Sequence, residues 1–485
     1  MTVDEEPSVA TTAASPGAQH VLAYPLLDAM ARRRSRRFAL GDRLQAGALS
    51  FTSSAPPVPL GIEEEAVLAF AGAGVTGRVN GELPYTPDAG PETGGGQVMV
   101  TMLGRTFASA DAAATSALFI TRDDGTFLMR RPQDFPREEF DEIAGLGRAH
   151  RFVELYERSR VRISDRRAEI RREVPFTPPF NKWSTNVPGS TYFVPVTEVT
   201  ALYLTILFAV MGDEFAYFLH DDRDWLVRPA GTGRWAKSKG GHLHDDVKDG
   251  RVGTIDELET YLLELCAFEQ GLMVQNIALA TEALGLGGFP HYGAHRFAWP
   301  EAFGLRIGQR TFAQILHKGP LGTLLVKLLG KNVSIPQALG FEHDGTAYIK
   351  PYAPPWYPSM EAAVRAFVAS KFAAGTGTFR DAPGPSPWRD PAAIQATIPE
   401  YSERDIKAVI AHCQYVFDHY GQFPGNYGPI RTVMAYQAHH IDTSFYDRLY
   451  KDGVYTDEHR QHFARWHPEA SGTDQGGVSP TMNRS

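Results

Sequence analysis

Between Arg32 and Arg37 five guanidiniums surround one hydroxyl, in the order Arg32-Arg33-Arg34-Ser35-Arg36-Arg37. Like charges at this density repel one another and call for an anion. Guanidinium forks match phosphate oxygens two at a time, and Ser35 adds a neutral donor. The chemistry is that of a phosphate clamp; the plainer alternative is a solvated basic face. A second signal lies far along the chain. Asn276 falls four residues after Leu272 and three before Leu279, on one face of a helix, where a buried amide needs a hydrogen-bond partner. The run Gly285-Leu286-Gly287-Gly288-Phe289-Pro290-His291-Tyr292-Gly293 follows. Glycines at this density let backbone N–H groups come close to a ligand, or simply end a helix in a turn.

Histidines form two further clusters. His242, His244, Asp245 and Asp246 share a loop, and His439, His440, Asp442, His459, His462 and His467 punctuate the C-terminal part. His459 with His462, and His439 with Asp442, stand one helical turn apart, a spacing that can converge on one ion. Surface or hydrogen-bonded histidines are the favoured reading, so no metal ligand is assigned.

The elements that must position these groups follow from periodicity and caps. Helices are expected over 22–39, 63–73, 136–172 (charge-dense), 197–210 (apolar), 310–329, 360–372 and 402–420, with a His/Tyr-rich helical piece over 435–466. A strand is expected near 98–103, and a hairpin over 117–130 around Asp124-Gly125. The longest helix starts at Thr254, which with Glu257 makes a capping-box pattern. It carries the stripe Leu258, Leu262, Leu265, Leu272 and Leu279 and stops at Gly285 and Gly287. Residues 375–391, rich in Gly, Pro, Ser and Asp, read as a linker.

Composition bounds the rest. At 485 residues the chain has room for about three domain-sized units. Hydrophobic residues are 43% and charged residues 21%, as in soluble globular proteins. The net charge of -8 argues against a nucleic-acid partner, which needs a basic face. Cys266 and Cys413 cannot build a disulfide framework and fit a reducing compartment. The 28 Phe and 19 Tyr suit walls for a flat ligand. Residues 1–20 and 471–485 read as disordered tails without signal-peptide character. The longest uncharged apolar stretch, 199–212, is too short to span a bilayer. A cytoplasmic protein without a membrane partner is expected.

Taken in order, the two signals resemble the FMN-dependent nitroreductase superfamily, with features of its SagB-type oxidase/dehydrogenase branch. Arg33-Arg34-Ser35-Arg36-Arg37 fills the position of that family's N-terminal arginine-serine segment. Asn276 to Gly287 is similar to its core-helix motif, and Pro290-His291-Tyr292-Gly293 to the loop over the flavin face. Gly104-Arg105-Thr106-Phe107-Ala108-Ser109 resembles the SagB-type segment beside the flavin's pyrimidine side, and Lys350 is the candidate for a late basic residue at the phosphate.

The resemblance implies FMN bound by Arg33, Arg34, Ser35, Arg37, Ser109, Asn276, Gly288, Pro290, His291, Gly293 and Lys350, with Tyr292 and His291 at the catalytic position. It implies an α+β, nitroreductase-like three-layer fold, a central mostly antiparallel sheet flanked by helices, with a helical insert and a C-terminal helical extension. The expected organisation is a flavin domain over 21–374 with an insert at 131–253, the linker, and a His/aromatic extension over 392–470.

The family is normally a homodimer with FMN at the interface. An organic small-molecule or peptide substrate would stack on the flavin against Phe289, Tyr292 or Phe297, with NAD(P)H or molecular oxygen as co-substrate. No G-x-G-x-x-G after a strand indicates a separate Rossmann domain. The alternatives are a divergent flavin- or ligand-binding partner protein without turnover, and a His/Asp metal-dependent enzyme using the C-terminal segment.

Overall fold

The computed structural model describes residues 15–85, 101–223, 227–292, 298–315, 320–382, 384 and 386–468. The outer tails, the predicted 98–100 part of an early strand, Gly293 and Phe297 lie outside them. The fold is α+β, built on a seven-stranded sheet. Its strands are β1 (Ser116–Arg122), β2 (Gly125–Met129), β3 (Arg160–Ser164), β4 (Thr191–Glu198), β5 (Gly287–His291), β6 (Ile430–Arg431) and β7 (Ala435–His439). They run in the order β5-β7-β4-β1-β2-β3, with β6 also on β4, and every pair is antiparallel. The strand β4 is buried at every position, as its near-continuous apolar run through Tyr192, Phe193, Val194 and Val196 requires of a strand covered on both faces. The hairpin β1–β2 turns one residue earlier than expected, at Asp123-Asp124, because Arg122 pairs with Gly125.

The helices that matter for the site are α1 (Pro16–Ala23), α2 (Leu26–Arg32), α3 (Ile62–Ala73), α4 (Thr200–Met211), α5 (Ile255–Leu284), α6 (Met360–Phe372), α7 (Glu403–Tyr420) and α8 (Asp457–Trp466). The 30-residue α5 starts where the sequence predicts, with the Thr254 hydroxyl accepting from the Glu257 N–H at 3.1 Å. It ends at Gly285, whose φ of +78° is the left-handed conformation a helix C-cap favours.

One face of the sheet, through Leu118, Ile120, Phe193 and Tyr436, packs on α3 and the C-terminal half of α5 (Leu68, Met273, Ile277). The other, through Phe119, Val194 and Val196, packs on Trp299 and Phe303 and on a three-stranded sheet (Arg306–Thr311, Ser334–His343, Thr346–Ile349). The N-terminal half of α5 forms a second core with α4, α6 and α7.

Four expectations need correcting. Residues 131–253 are not an insert, since they supply β3 and the central β4. Residues 392–470 are not a helical extension, since β7 lies hydrogen-bonded between β5 and β4. Residues 375–391 are not a linker: Phe379 is fully buried, and Arg380 donates to the carbonyls of Gln395 (3.0 Å) and Ile398 (2.7 Å). The tail expected over 1–20 gives way at Pro16 to α1, whose Gly17 lies against the Trp466 indole. No helix among the described residues is long and apolar enough to cross a membrane.

Phe119 couples the sheet to its outer layer, stacking on Phe303 at 4.4 Å and meeting Phe341 edge-on at 5.3 Å. Phe119→Ala is expected to lower stability by about 3–5 kcal/mol, read as a lower urea midpoint at unchanged slope. A loss below ~1 kcal/mol would mean that this layer closes over the gap.

Candidate functional site

The basic run is not helical as predicted. The helix α2 ends at Arg32, and Arg33 at its cap already has extended torsions (φ −52°, ψ 124°). Side chains of an extended segment point alternately to opposite sides, so the five arginines divide. Arg34 and Arg36, with Arg32 and Arg460, line an open cavity of about 350 Å³. Arg37 faces the sheet, its guanidinium 4.3 Å from the ring centre of Phe289 and 5.1 Å from that of Trp183. Arg33 is among the charges acting on Tyr436. The backbone of Arg36 bridges Gly288 in β5. A side chain at Gly288 would strike Tyr436, with its Cβ 2.6 Å from the hydroxyl, and one at Gly287 would lie 3.0 Å from the Arg36 carbonyl oxygen, so the glycine pair permits this close packing. The two signals separated in sequence therefore touch.

Part of the anion the run calls for comes from the chain itself. Arg36 Nη1 meets Glu282 Oε2 at 2.6 Å, with both side chains buried, and Arg36 Nε donates to the Val454 carbonyl at 2.9 Å. Burial raises the Glu282 carboxyl above its usual range, and Arg36 opposes that rise. Glu282 was missed in the sequence although a signal existed: an acid in the last turn faces the negative end of the helix dipole and needs a cation to hold it.

Around Arg37 the donors and acceptors can be followed atom by atom. Its Nη2 donates to Asn181 Oδ1 (2.8 Å) and Ser184 Oγ (3.0 Å), while its Nε is buried without a partner among the described residues. Asn181 Nδ2 donates to the Tyr292 carbonyl at 3.1 Å. The Thr185 hydroxyl donates to the Asn181 carbonyl (2.7 Å) and stands 3.1 Å from His291 Nε2. Its one proton is thus spent, so His291 Nε2 is the donor and Nδ1, which has no partner among the described residues, is a bare acceptor. Burial, with Arg37 nearby, pulls His291 down to about 4, so the ring is neutral at neutral pH. Asn181, Trp183, Ser184 and Thr185 lie between Pro178 and Pro188, where the sequence carries no recognisable motif.

The structure therefore gathers Arg33, Arg37, Gly288, Pro290, His291 and Tyr292, with the exposed Arg34 and Ser35 on the same segment. It corrects the role of His291. Alternation along β5 turns Phe289 and His291 inward and leaves Pro290 exposed, and at 0% exposure His291 cannot touch a substrate. Tyr292 stays exposed. Other predicted residues are committed elsewhere. Ser109 Oγ donates to Glu269 (2.5 Å) and accepts from Ala114 N–H (2.8 Å), and Asn276 donates to the Thr106 carbonyl at 2.9 Å. Both tie the 106–114 segment to α5. Lys350 does not join the arginines. Its ammonium lies 4.5 Å from the Tyr357 ring centre, in a cavity of about 390 Å³ shared with Arg131, Glu198 and Tyr352. Glu198 and Tyr192 stand at opposite ends of β4, which puts that cavity roughly 20 Å from His291 at the rise of a strand.

No family model matches the chain, and no curated protein matches it. Among solved structures it is similar to a Ralstonia eutropha JMP134 protein named "putative nitroreductase". The identity is 12%, the TM-score 0.27, and the match covers 62% of this chain and 80% of that one. A likeness of that degree assigns no residue a role.

Two outcomes test this geometry. Arg36→Ala strands the Glu282 carboxylate and is expected to cost about 3–5 kcal/mol, while the paired change Arg36→Met with Glu282→Leu costs far less; urea unfolding of the double-mutant cycle reads the difference. Acid sensitivity is the second. His291 is held at about 4, and His439 and His459 at about 3, each by burial first, against about 6.5 unfolded. Their contribution is present above about pH 6.5 and is lost as pH falls toward the folded values. His291→Gln, which has no proton to gain, is expected to flatten that fall in a pH series of unfolding free energies.

Proposed function

We propose that the chain is a flavin-dependent oxidoreductase of nitroreductase-like character, moving a hydride between FMN and an organic substrate. One observation carries the reading: the bridge from Arg36 to Gly288 lays the Arg33–Arg37 segment along the Gly288–Tyr292 strand. The donor set fits an anionic, planar group. Among the described residues neither the Arg33 guanidinium nor the Ser35 hydroxyl makes a hydrogen bond, and Arg37 Nε and His291 Nδ1 are buried and unsatisfied. A guanidinium and a hydroxyl without partners suit a phosphate. The Arg37 guanidinium, half-buried over Phe289 and Trp183, suits the electron-rich edge of a flavin.

When bound, FMN supplies the hydride chemistry; the chain's part is to hold and polarise. Arg33 and Ser35 take the phosphate. Arg37, fixed by Asn181 and Ser184, would offer a bound flavin a positive charge already held in place. Pro290 and Tyr292 border the substrate face. His291 is a positioning residue: through Thr185 it steadies Asn181, which in turn holds Arg37 and the Tyr292 carbonyl. Lys350, Ser109 and Asn276 have no part in this arrangement. NAD(P)H and molecular oxygen remain the two co-substrates that such a site accommodates.

The test is FMN binding followed by fluorescence quenching. Arg33→Ala with Arg37→Ala is expected to weaken binding by about 10- to 100-fold per lost charged contact, with Asn181→Ala intermediate. Bleaching of the bound flavin by NAD(P)H under anaerobic conditions then identifies the reductant. Unchanged affinity in the double variant, or no FMN binding by the wild type, overturns the reading.

A further inference from the structure

Away from that strand, four side chains from three elements converge on one point. Glu64 lies in the first turn of α3, His440 directly follows β7, and His462 and His467 lie in and just after α8. From Glu64 Oε1, His462 Nε2 is 2.7 Å away, His467 Nε2 3.2 Å and His440 Nε2 3.3 Å. The four candidate ligand atoms all lie within 4.8 Å of one another. Glu64, His440 and His462 are buried and His467 is half-buried. The sequence reading assigned none of these histidines to a metal, and Glu64 was outside it altogether.

Hydrogen-bond bookkeeping shows what this point lacks. His440 Nδ1 donates to the Val58 carbonyl at 3.0 Å, and His462 Nδ1 to the Leu284 carbonyl at 2.9 Å. A carbonyl only accepts, so both Nδ1 atoms carry protons, and in the neutral ring each Nε2 is then a lone pair. His440 Nε2 and His467 Nε2 lie at hydrogen-bond distance from Oε1. With neutral rings, the lone pairs of His440 and His462 thus face a carboxylate oxygen, an arrangement that repels unless a positive charge, a metal ion or a ring proton, sits among them. His462 Nε2 displays the mismatch: it is 2.7 Å from Oε1 yet lacks hydrogen-bond geometry. The second carboxylate oxygen, Oε2, accepts from the Gly61 N–H at 2.5 Å, which leaves Oε1 as a single ligand. An imidazole anchored to a backbone carbonyl through its far nitrogen is the usual partner arrangement of a metal-bound histidine.

We propose that Glu64, His440, His462 and His467 bind one divalent first-row transition ion, zinc by their chemistry. Three imidazole nitrogens and one carboxylate oxygen are a zinc donor set. From Oε1, two separations (3.2 and 3.3 Å) match the edge of about 3.3 Å that a tetrahedron with 2.0–2.1 Å bonds requires, and the third (2.7 Å) is shorter. All four atoms lie within 4.8 Å of one another, so that small side-chain shifts close them on an ion. Four protein ligands close the coordination sphere, so the ion is structural. It staples α8 and the end of β7 to α3.

The experiment uses the full chain, expressed with added zinc. Elemental analysis is expected to give about one zinc per chain. A chelator lowers the melting temperature and Zn²⁺ restores it. Glu64→Gln and His462→Gln lose at least ~10-fold in zinc affinity, while His244→Gln, in an unrelated loop, keeps full zinc. Where either variant fails to fold, Co²⁺ exchanged into the wild type decides, through the intense visible bands of a four-coordinate cobalt site. A wild type without stoichiometric transition metal, whose melting temperature neither zinc nor chelator moves, overturns the proposal and leaves protons as the only charge at that point.

Discussion

Arg36 and Glu282 form the contact on which the surroundings of the arginine segment depend. Taking both charges out of water is costly, and their attraction repays it only when the geometry is good and the remaining hydrogen-bonding groups are met. Here the ion pair is short and buried and the guanidinium Nε reaches the Val454 carbonyl, while Glu282 Oε1 is buried without a partner among the described residues, so the carboxylate leans on Arg36. Glu282 has a second reason to need its partner, since it stands in the last turn of α5, where the helix dipole opposes a carboxylate. Arg36 cannot move away without leaving that charge stranded. Its backbone bridge to Gly288 is therefore held from the side chain, and with it the exit of α2, the edge of β5 and the 453–456 loop.

Once Arg36 is fixed, extended-chain alternation does the rest. Its neighbour Arg37 must turn to the opposite side, onto Phe289 and Trp183. A guanidinium over two aromatic faces is weakly hydrated, and the loop at Asn181 and Ser184 replaces part of the lost water. His291 is buried close by and kept neutral, so that it adds no competing cation. The result is one positive charge, locked by packing and by directional bonds, beside a strand whose next outward residues are Pro290 and Tyr292.

What the sequence revealed and what it hid have physical reasons. The caps of α5, the β1–β2 hairpin and α3 were legible because each is set by residues within a few positions of one another. The meeting of the arginine run with the Gly288 strand was legible through the resemblance of two motifs in order. The central strand β4 was hidden because burial on both faces removes the polar/apolar alternation that marks a strand, and Pro195 interrupts it further. The strand β7 was hidden because Tyr436, Gln437 and His439 look polar in sequence, although all three are buried. Lys350 follows a strand, as the resemblance requires, but topology carries that strand to the far end of β4, which no local pattern records. Glu63, Glu64 and Glu65 carry no local sign of a special role, since acids are common at helix N-termini, yet Glu64 and Glu65 are buried. Glu65 holds Arg122 (2.8 Å) and the Tyr156 hydroxyl (2.9 Å), while Glu64 faces the histidines.

The C-terminal segment was read as an appendage, and the end of α5 shows why that description fails. Within four residues this helix terminus makes three commitments. Glu282 takes Arg36, the Leu284 carbonyl takes His462 Nδ1, and Gly285 allows the backbone of Glu458 so close that a Cβ there would lie 2.4 Å from its carbonyl oxygen. Gly285 thus serves two constraints at once, the left-handed cap of α5 and the close approach of α8. The arginine segment and α8 share one anchor and are bound to it from opposite sides. Displacing α8 would disturb the Leu284 turn and, one helical step away, the carboxylate that holds Arg36. The histidines of α8 are consequently coupled to the arginine segment through α5, although no histidine of that cluster lies beside Arg37.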